Sequence, residues 1–353
     1  MLSKENYTKE HIEELQKHYP KVSLGVFEMT MYAFGLLQRL VSSKLDFVFK
    51  GGTSLMLLLP EPQRVSTDID ILVKPGTDLG PYIADLEHEF PLLRVSHQAI
   101  NSKNGVQIAH YSFACPPLYG TEANVLLDVY FGSNLYQTVA SPLKNRFLLN
   151  DGLPSSVWTP SIDSLLGDKL TAFAPKTIGV HPFVTSFGTS CDKRLQIIKQ
   201  LYDINALAEE MWDFGVVAET YHRVVLEEKK LRGISLSEKD ILRDSFLAAL
   251  SILTLGSSDE NQEYRTCFKP GIDKLSDHVF AFDWNATRAQ ECAAKAMLLY
   301  GALAAGEDIR KVRVAHRAGY HSFPYSSLNH SVGQKDLFDQ AVTAIALFDP
   351  KAR

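Results

Sequence analysis

Cysteine is scarce. Four occur in 353 residues, Cys115, Cys191, Cys267 and Cys292, far apart and with no CxxC pair or Cys/His pair at zinc-finger spacing. A disulfide framework and a structural zinc site are therefore not expected. No stretch approaches the roughly 18 consecutive apolar residues of a membrane helix. The polar start MLSKENYTKEHIEEL lacks the charged-then-apolar order of a secretory leader, so the cytoplasm is the simplest address and no membrane partner is expected. Positive charge is also short: 36 Lys and Arg against 41 Asp and Glu leave a net charge of −5. A protein of this balance does not coat nucleic acid through overall basicity and would need a local basic patch to meet it. Internal repeats, low-complexity tracts, the Gly-Lys-Ser/Thr of a P-loop and the GxSxG of a serine hydrolase are all missing. His97, His110 and His181 have no spacing that ties them to a nucleophile and read as structural or surface residues.

What is present is the composition of an ordinary folded protein, 45% hydrophobic and 22% charged, at a length that suits two domains. Val26, Ala33, Leu37 and Leu40 make a helical stripe. From Asp46 to Phe131 short β-rich runs alternate with helical ones: FVF at 47–49, a helix from Thr53 to Leu59, IDILV at 69–73, a helix over 78–90, and strands near 92–99, 105–113 and 123–131. After Thr159 the pattern is mostly helical. Thr159-Pro160 reads as a helix start and Pro175 as its stop. Further helices are expected at 191–210, 214–230, 236–254 and 286–305, and 175–190 reads as a loop without structure of its own. The pattern predicts an α+β fold, α/β-like in its local alternation. A mixed β-sheet domain flanked by helices, 1–158, is followed by a mostly helical domain, 159–353.

The segment FKGGTSLMLLLPEPQRVSTDIDILV, residues 49–73, holds the chemistry. A strand enters Gly51-Gly52 and then Thr53-Ser54, which can cap the next helix, so amides and hydroxyls gather at a helix amino terminus as phosphate binding requires. A Gly-Gly at such a turn is by itself no more than a turn. Asp68 and Asp70 lie two apart in a strand and project from one face, about 6.6 Å from each other, close enough to serve divalent ions. A bare DxD also fits a solvated strand end. In ANVLLDVYF, Asp128 breaks a β-favouring run on the face opposite Val125, Leu127, Val129 and Phe131. If that strand pairs with the one carrying Asp68 and Asp70, three carboxylates converge; alone, Asp128 reads equally well as a structural aspartate. Lys169 sits at the edge of an apolar stripe, where it either snorkels or faces phosphates. Lys199 and Asp203, four apart on a helix, suit a surface ion pair.

KGGTSL at 50–55 followed by RVSTDIDIL at 64–72 resembles the first signature of the AbiEii/AbiGii nucleotidyltransferase toxins, relatives of the DNA polymerase β-like nucleotidyltransferases. The resemblance extends to Asp128 as third carboxylate, to Lys169 in GDKLTAF, and to Lys199 and Asp203 in LQIIKQLYDINAL, where Gln200 replaces a common acid. It implies a nucleotidyltransferase domain at 1–158, with the helical domain completing the active-site cleft and acceptor surface. It further implies a toxin of a bacterial toxin–antitoxin or phage-defence pair that moves a nucleoside monophosphate from a triphosphate to RNA, the 3′ end of tRNA, and stops translation. Its cofactor would be Mg2+ or Mn2+ on Asp68, Asp70 and Asp128, its substrate a nucleoside triphosphate, and its partners tRNA and a cognate antitoxin. Gly51, Gly52, Thr53, Ser54, Arg64 and Ser66 would line the nucleotide, Arg64 either contacting phosphate or bracing the loop, with Lys169 on the leaving pyrophosphate and Asp203 a further catalytic residue. Ser66, two before Asp68, is a candidate for inactivating modification. Lys193, Arg194, Arg310, Lys311 and Arg313, the last three in the basic run 309–321 with His316 and Arg317, are candidate RNA contacts, although each run alone suits a solvated helix face. The competing functions are transfer to a small-molecule or protein hydroxyl and a nucleotide-binding module without turnover.

Overall fold

Alternation of buried and accessible residues along neighbouring strands organises the first half of the chain. The computed structural model describes all residues except 88–89, 105, 187–188, 257–261, 281–282, 315–334 and 350–353. Two units are distinguished, Met1–Ser161 with Asp277–Asp283, and Ile162–Ser276 with Trp284–Arg353.

In the first unit, β1 (Phe47–Lys50), β2 (Asp68–Val73), β3 (Arg94–Lys103), β4 (Val106–Cys115) and β5 (Ala123–Phe131) form one sheet in the order β1-β2-β5-β4-β3. β2 and β5 run parallel, and the other neighbours are antiparallel, so the sheet is mixed. Ile69, Ile71 and Val73 on β2, with Val125, Leu127 and Val129 on β5, point to one face and are buried. α2 (Leu24–Ser42) covers that face at β2 and β5. Its amino terminus is capped by Ser23, whose side chain accepts from the Val26 amide, and Phe27, Met31, Phe34 and Leu37 along it are buried. Each such side chain contributes about 1.5–3 kcal/mol on burial. The opposite face, with Asp68, Asp70, Leu126 and Asp128, stays accessible. α1 (Lys9–His18), α3 (Gly51–Leu58) and α4 (Gly80–Leu86) flank the sheet sequence, α3 beginning two residues before the expected Thr53 and α4 shorter than 78–90.

A hairpin of β6 (Thr138–Pro142) and β7 (Ser156–Pro160) corrects the reading of Thr159-Pro160 as a helix start. Thr159 is buried, its hydroxyl 2.7 Å from that of Ser141, and Pro160 ends the strand, where its missing amide does least harm. Segment Asp277–Asp283 also belongs to this unit. Val279 bridges Arg64, the Val65 amide donates to the His278 carbonyl at 3.4 Å, and the Phe280 amide to Gln63 at 3.2 Å. The Phe280 ring lies 4.9 Å from that of Tyr19 and 5.4 Å from that of Phe147.

The second unit is helical: α5 (Ile162–Ala172), α6 (Arg194–Glu209), α7 (Phe214–Arg232), α8 (Glu238–Leu253), α9 (Gln262–Leu275), α10 (Ala286–Ala305) and α11 (Lys335–Phe348). A Ser237/Asp240 capping box starts α8, and left-handed Gly233 and Gly306 end α7 and α10. α10 lies against α6, α8 and α11, and α5 against α6 and α7. The expected structureless loop 175–190 instead contains β8 (Phe183–Ser186), paired with β9 (Thr189–Asp192). Four-residue strands are too short for the alternation that reveals longer ones. No helix among the described residues is long and apolar enough to cross a membrane.

Candidate active site

The turn from β1 into α3 is shaped by what lies against its glycines. Gly51 has φ +80°, and a Cβ there would stand 1.9 Å from Oδ2 of Asp70. A Cβ on Gly52 would meet Nη2 of Arg64 at 2.8 Å and Oγ of Ser66 at 3.1 Å. The glycines thus make room for the carboxylate, guanidinium and hydroxyl of the chain itself. The cap of α3 is Lys50, with no side-chain hydrogen bond, so Thr53 and Ser54 are not its caps as the sequence reading had them. Both are fully buried. The Thr53 hydroxyl donates to the Asp68 carbonyl at 2.6 Å, binding the turn to β2, and the Ser54 hydroxyl donates to the Gly51 carbonyl at 2.9 Å within the first turn of α3. Arg64, also buried, donates to the Val65 carbonyl at 3.2 Å and braces its own loop beneath Gly52.

β2 and β5 are in register at Asp70↔Asp128, with Asp68 opposite Leu126. β1 places Lys50 opposite Asp70, and β4 places His110 opposite Asp128. A row therefore crosses four strands on the accessible face: Lys50, Asp70, Asp128, His110. Side chains so placed are neighbours, and two like charges side by side repel. The flanking groups offset this. His110 Nδ1 lies 2.7 Å from Asp128 Oδ1. The Lys50 ammonium donates to the Tyr136 hydroxyl at 3.0 Å and stands 5.0 Å from the centre of the Tyr130 ring. Among the described residues, no three His, Cys, Asp or Glu side chains converge as they stand to hold a metal ion. Asp70 is turned to the Gly51 notch and Asp128 to His110.

In the second unit, Lys169 on α5 meets Asp203 on α6 at 3.0 Å, with the side chains 7% and 0% exposed, and donates to Oε1 of Gln200 at 3.1 Å. Of the two alternatives for Lys169, snorkelling to solvent is thereby overturned. The surface placement expected for Asp203 beside Lys199 is also corrected, since Asp203 is buried with Lys169 as a partner. Such a pair is retained where its geometry is good, because removing one partner strands a buried charge.

The candidate RNA contacts divide. Arg194 binds both oxygens of Asp192 at 2.9 Å, donates to the Thr266 carbonyl at 3.1 Å and stacks 5.1 Å from the Phe183 ring centre, securing the β8–β9 hairpin. Arg310 forks onto Asp308 and donates to the Trp212 carbonyl at 2.6 Å. Each arginine holds its carboxylate partner well below the usual aspartate range. Lys193 is the half-buried cap residue of α6, whereas Lys311 and Arg313 are exposed. His316 and Arg317 lie outside the described residues. Burial pushes the Cys115 and Cys292 thiols up to about 12, which removes both as nucleophiles.

Residues 35–291 match the family described as nucleotidyl transferase AbiEii toxin, type IV toxin–antitoxin system. The chain belongs to the AbiEii toxin family. It is a nucleotidyltransferase and a toxin by that membership. Among solved structures, this AbiEii toxin is similar to MenT4, a nucleotidyltransferase toxin from Mycobacterium tuberculosis H37Rv, at 12% identity and TM-score 0.53, covering 96% of this chain and 98% of that one. An antigenic nucleotidyltransferase-like protein from Paracoccidioides brasiliensis matches at 15% identity and TM-score 0.34, over 58% of this chain and 91% of that one. No curated protein matches. The likeness to MenT4 concerns the fold.

Within the AbiEii toxin, the sequence reading missed His110 and Lys50 as members of the carboxylate row. His110 was taken as an ordinary residue, and the signal that could have raised it is its place between Ala109 and Tyr111 in an alternating strand, which sends it to the polar face. Its partner follows only from the β4–β5 register.

Proposed function

We propose that this toxin transfers a nucleoside monophosphate from a nucleoside triphosphate to an RNA acceptor, the 3′ end of tRNA, in a Mg2+- or Mn2+-dependent reaction, and so blocks translation. The observation that carries this reading is the register of Asp70 with Asp128 on adjacent parallel strands, Asp68 two residues away on the same accessible face. The donor chemistry fits the metals: carboxylate oxygens are the ligands that hard divalent cations take. When bound, such ions neutralise triphosphate oxygens and polarise an attacking hydroxyl.

Asp68, Asp70 and Asp128 would hold the ions, and Asp128 would accept the hydroxyl proton of the acceptor. The first amides of α3, at Gly51 and Gly52, would take terminal phosphate oxygens, since the side chain of the cap residue Lys50 makes no capping hydrogen bond. Lys169 would counter charge on the leaving pyrophosphate, with Asp203 keeping its ammonium oriented. Lys311 and Arg313 are the exposed cations offered to RNA. The setting is the cytoplasm of a bacterium, where the toxin would serve antiviral defence opposite its antitoxin.

The test is pyrophosphate release from each nucleoside triphosphate with Mg2+, with and without total tRNA, for the wild type and Asp70→Asn. Release that requires tRNA and vanishes in the variant is expected. Release without RNA transfers the reading to a small-molecule or protein hydroxyl, and binding without release to a nucleotide-binding module.

A further inference from the structure

We infer that His110 is a positioning residue for Asp128, fixing the carboxylate in the orientation from which it ligates a divalent cation; this rests on the metal-binding reading of Asp68, Asp70 and Asp128. Register gives the first ground. His110 and Asp128 are direct partners across β4 and β5, and Nδ1 stands 2.7 Å from Oδ1. An ionised carboxylate accepts hydrogen bonds and donates none, so Nδ1 carries the hydrogen. The bond occupies Oδ1 and leaves Oδ2 as the oxygen without that constraint.

The second ground is the electrostatic setting. Asp128 is a third exposed and has Asp70 as its Cα partner on β2. Without a donor holding Oδ1, such a carboxylate would rotate among several orientations beside its like-charged neighbour. The imidazole supplies the donor. Outer-shell partners of metal ligands hold them in this way, and their loss weakens metal binding about 10–100-fold.

The third ground is that His110 has no other structural task of comparable weight. Its ring is 42% exposed on the polar face, between the buried core residues Ala109 and Tyr111, and its partner on β3 is Ala99, which offers no side-chain hydrogen bond. The next pairs along this face are organised separately: Ser96 Oγ lies within hydrogen-bonding distance of Ser112 Oγ and of Asn124 Oδ1, at 3.0 and 2.9 Å. Substituting His110 therefore leaves the core and that cluster intact.

Mn2+ titration of the nucleotide-free protein, read by the electron paramagnetic resonance of free Mn2+, tests the assignment in the wild type, His110→Ala, His110→Asn and Asp128→Asn. Circular dichroism confirms folding of each. His110→Ala is expected to raise the Kd about 10–100-fold, and His110→Asn, whose amide can donate from near the Nδ1 position, to stay within a few-fold of wild type. Equal affinity of wild type and His110→Ala, with Asp128→Asn impaired, overturns the role of His110 and leaves the carboxylate site standing. Equal weakening in both His110 variants overturns the hydrogen-bond assignment. Absence of Mn2+ binding by the wild type overturns the metal reading and this inference with it.

Discussion

Asp70 faces Asp128 directly across two parallel strands, yet the two carboxylates turn in opposite directions, one toward the Gly51 notch and the other toward His110. Parallel pairing at about 4.8 Å spacing would otherwise concentrate negative charge. The divergence relieves that repulsion. It also sets up a separation between stability and activity.

Asp70→Asn keeps the shape and removes one of the two facing charges. The thermal midpoint should hold or rise, with relief of about 0.2–1 kcal/mol, while nucleotidyl transfer falls at least about 100-fold. Calorimetry beside a pyrophosphate assay reads both. A large drop in midpoint would mean that the charge has a structural role.

The two glycines of the turn should respond unequally. Gly51→Ala adds a Cβ 1.9 Å from the Asp70 carboxylate at a φ of +80°, so it should lose about 1–3 kcal/mol in urea unfolding and displace Asp70. Gly52→Ala meets the end of the Arg64 side chain at 2.8 Å, with no positive φ, and should be milder.

Lys169→Met removes the ammonium paired with the fully buried carboxylate of Asp203. A loss of about 3–5 kcal/mol is expected. Adding Asp203→Leu should restore much of the stability, because both buried charges are then gone, but none of the activity. If the double variant is no more stable than Lys169→Met, the desolvation of a carboxylate deprived of its ammonium is not what destabilises the single one.

Burial pushes Asp244 up from its ordinary 3.8, even though Oδ2 accepts from the Lys176 amide and the Thr177 hydroxyl, and Oδ1 is buried with no hydrogen-bond partner among the described residues. The folded state therefore binds its proton more tightly than the unfolded one, and stability falls as pH rises from the unfolded value through the raised folded one. Relative to Asp244→Asn, the wild type should lose stability across that interval and run parallel above it. Urea midpoints at a series of pH values would show a flat difference if the site were solvated.

Lys311→Glu with Arg313→Glu should weaken RNA binding and flatten its dependence on salt, as loss of phosphate contacts does. Arg310→Ala should act first on stability, since its guanidinium holds Asp308 and the Trp212 carbonyl. Filter binding over a range of salt concentrations separates the two.

The sheet was legible because β2 and β5 alternate cleanly, sending Ile69, Ile71, Leu127 and Val129 inward and the aspartates outward. The helices expected at 214–230, 236–254 and 286–305 were equally clear in kind, matching Phe214–Arg232, Glu238–Leu253 and Ala286–Ala305. Local pattern does not carry pairing. Nothing in the letters states that His110 lies beside Asp128 or that Asp203 is buried with Lys169, because each pairing depends on packing between distant segments. Thr159-Pro160 misled for a related reason: the same two residues suit a helix start and a strand end, and the neighbour that decides, Ser141, is 18 positions away.

The strip from Asp277 to Asp283 has a practical consequence for dissecting this enzyme. Although the sheet's strands are complete by Phe131, Val279 and Phe280 supply a bridging partner for Arg64 and the third ring of an aromatic trio with Tyr19 and Phe147. A fragment stopped at Ser161 would leave those rings wet and the arginine loop without its neighbour, so the amino-terminal half is not a self-sufficient piece that can be expressed to study nucleotide binding on its own.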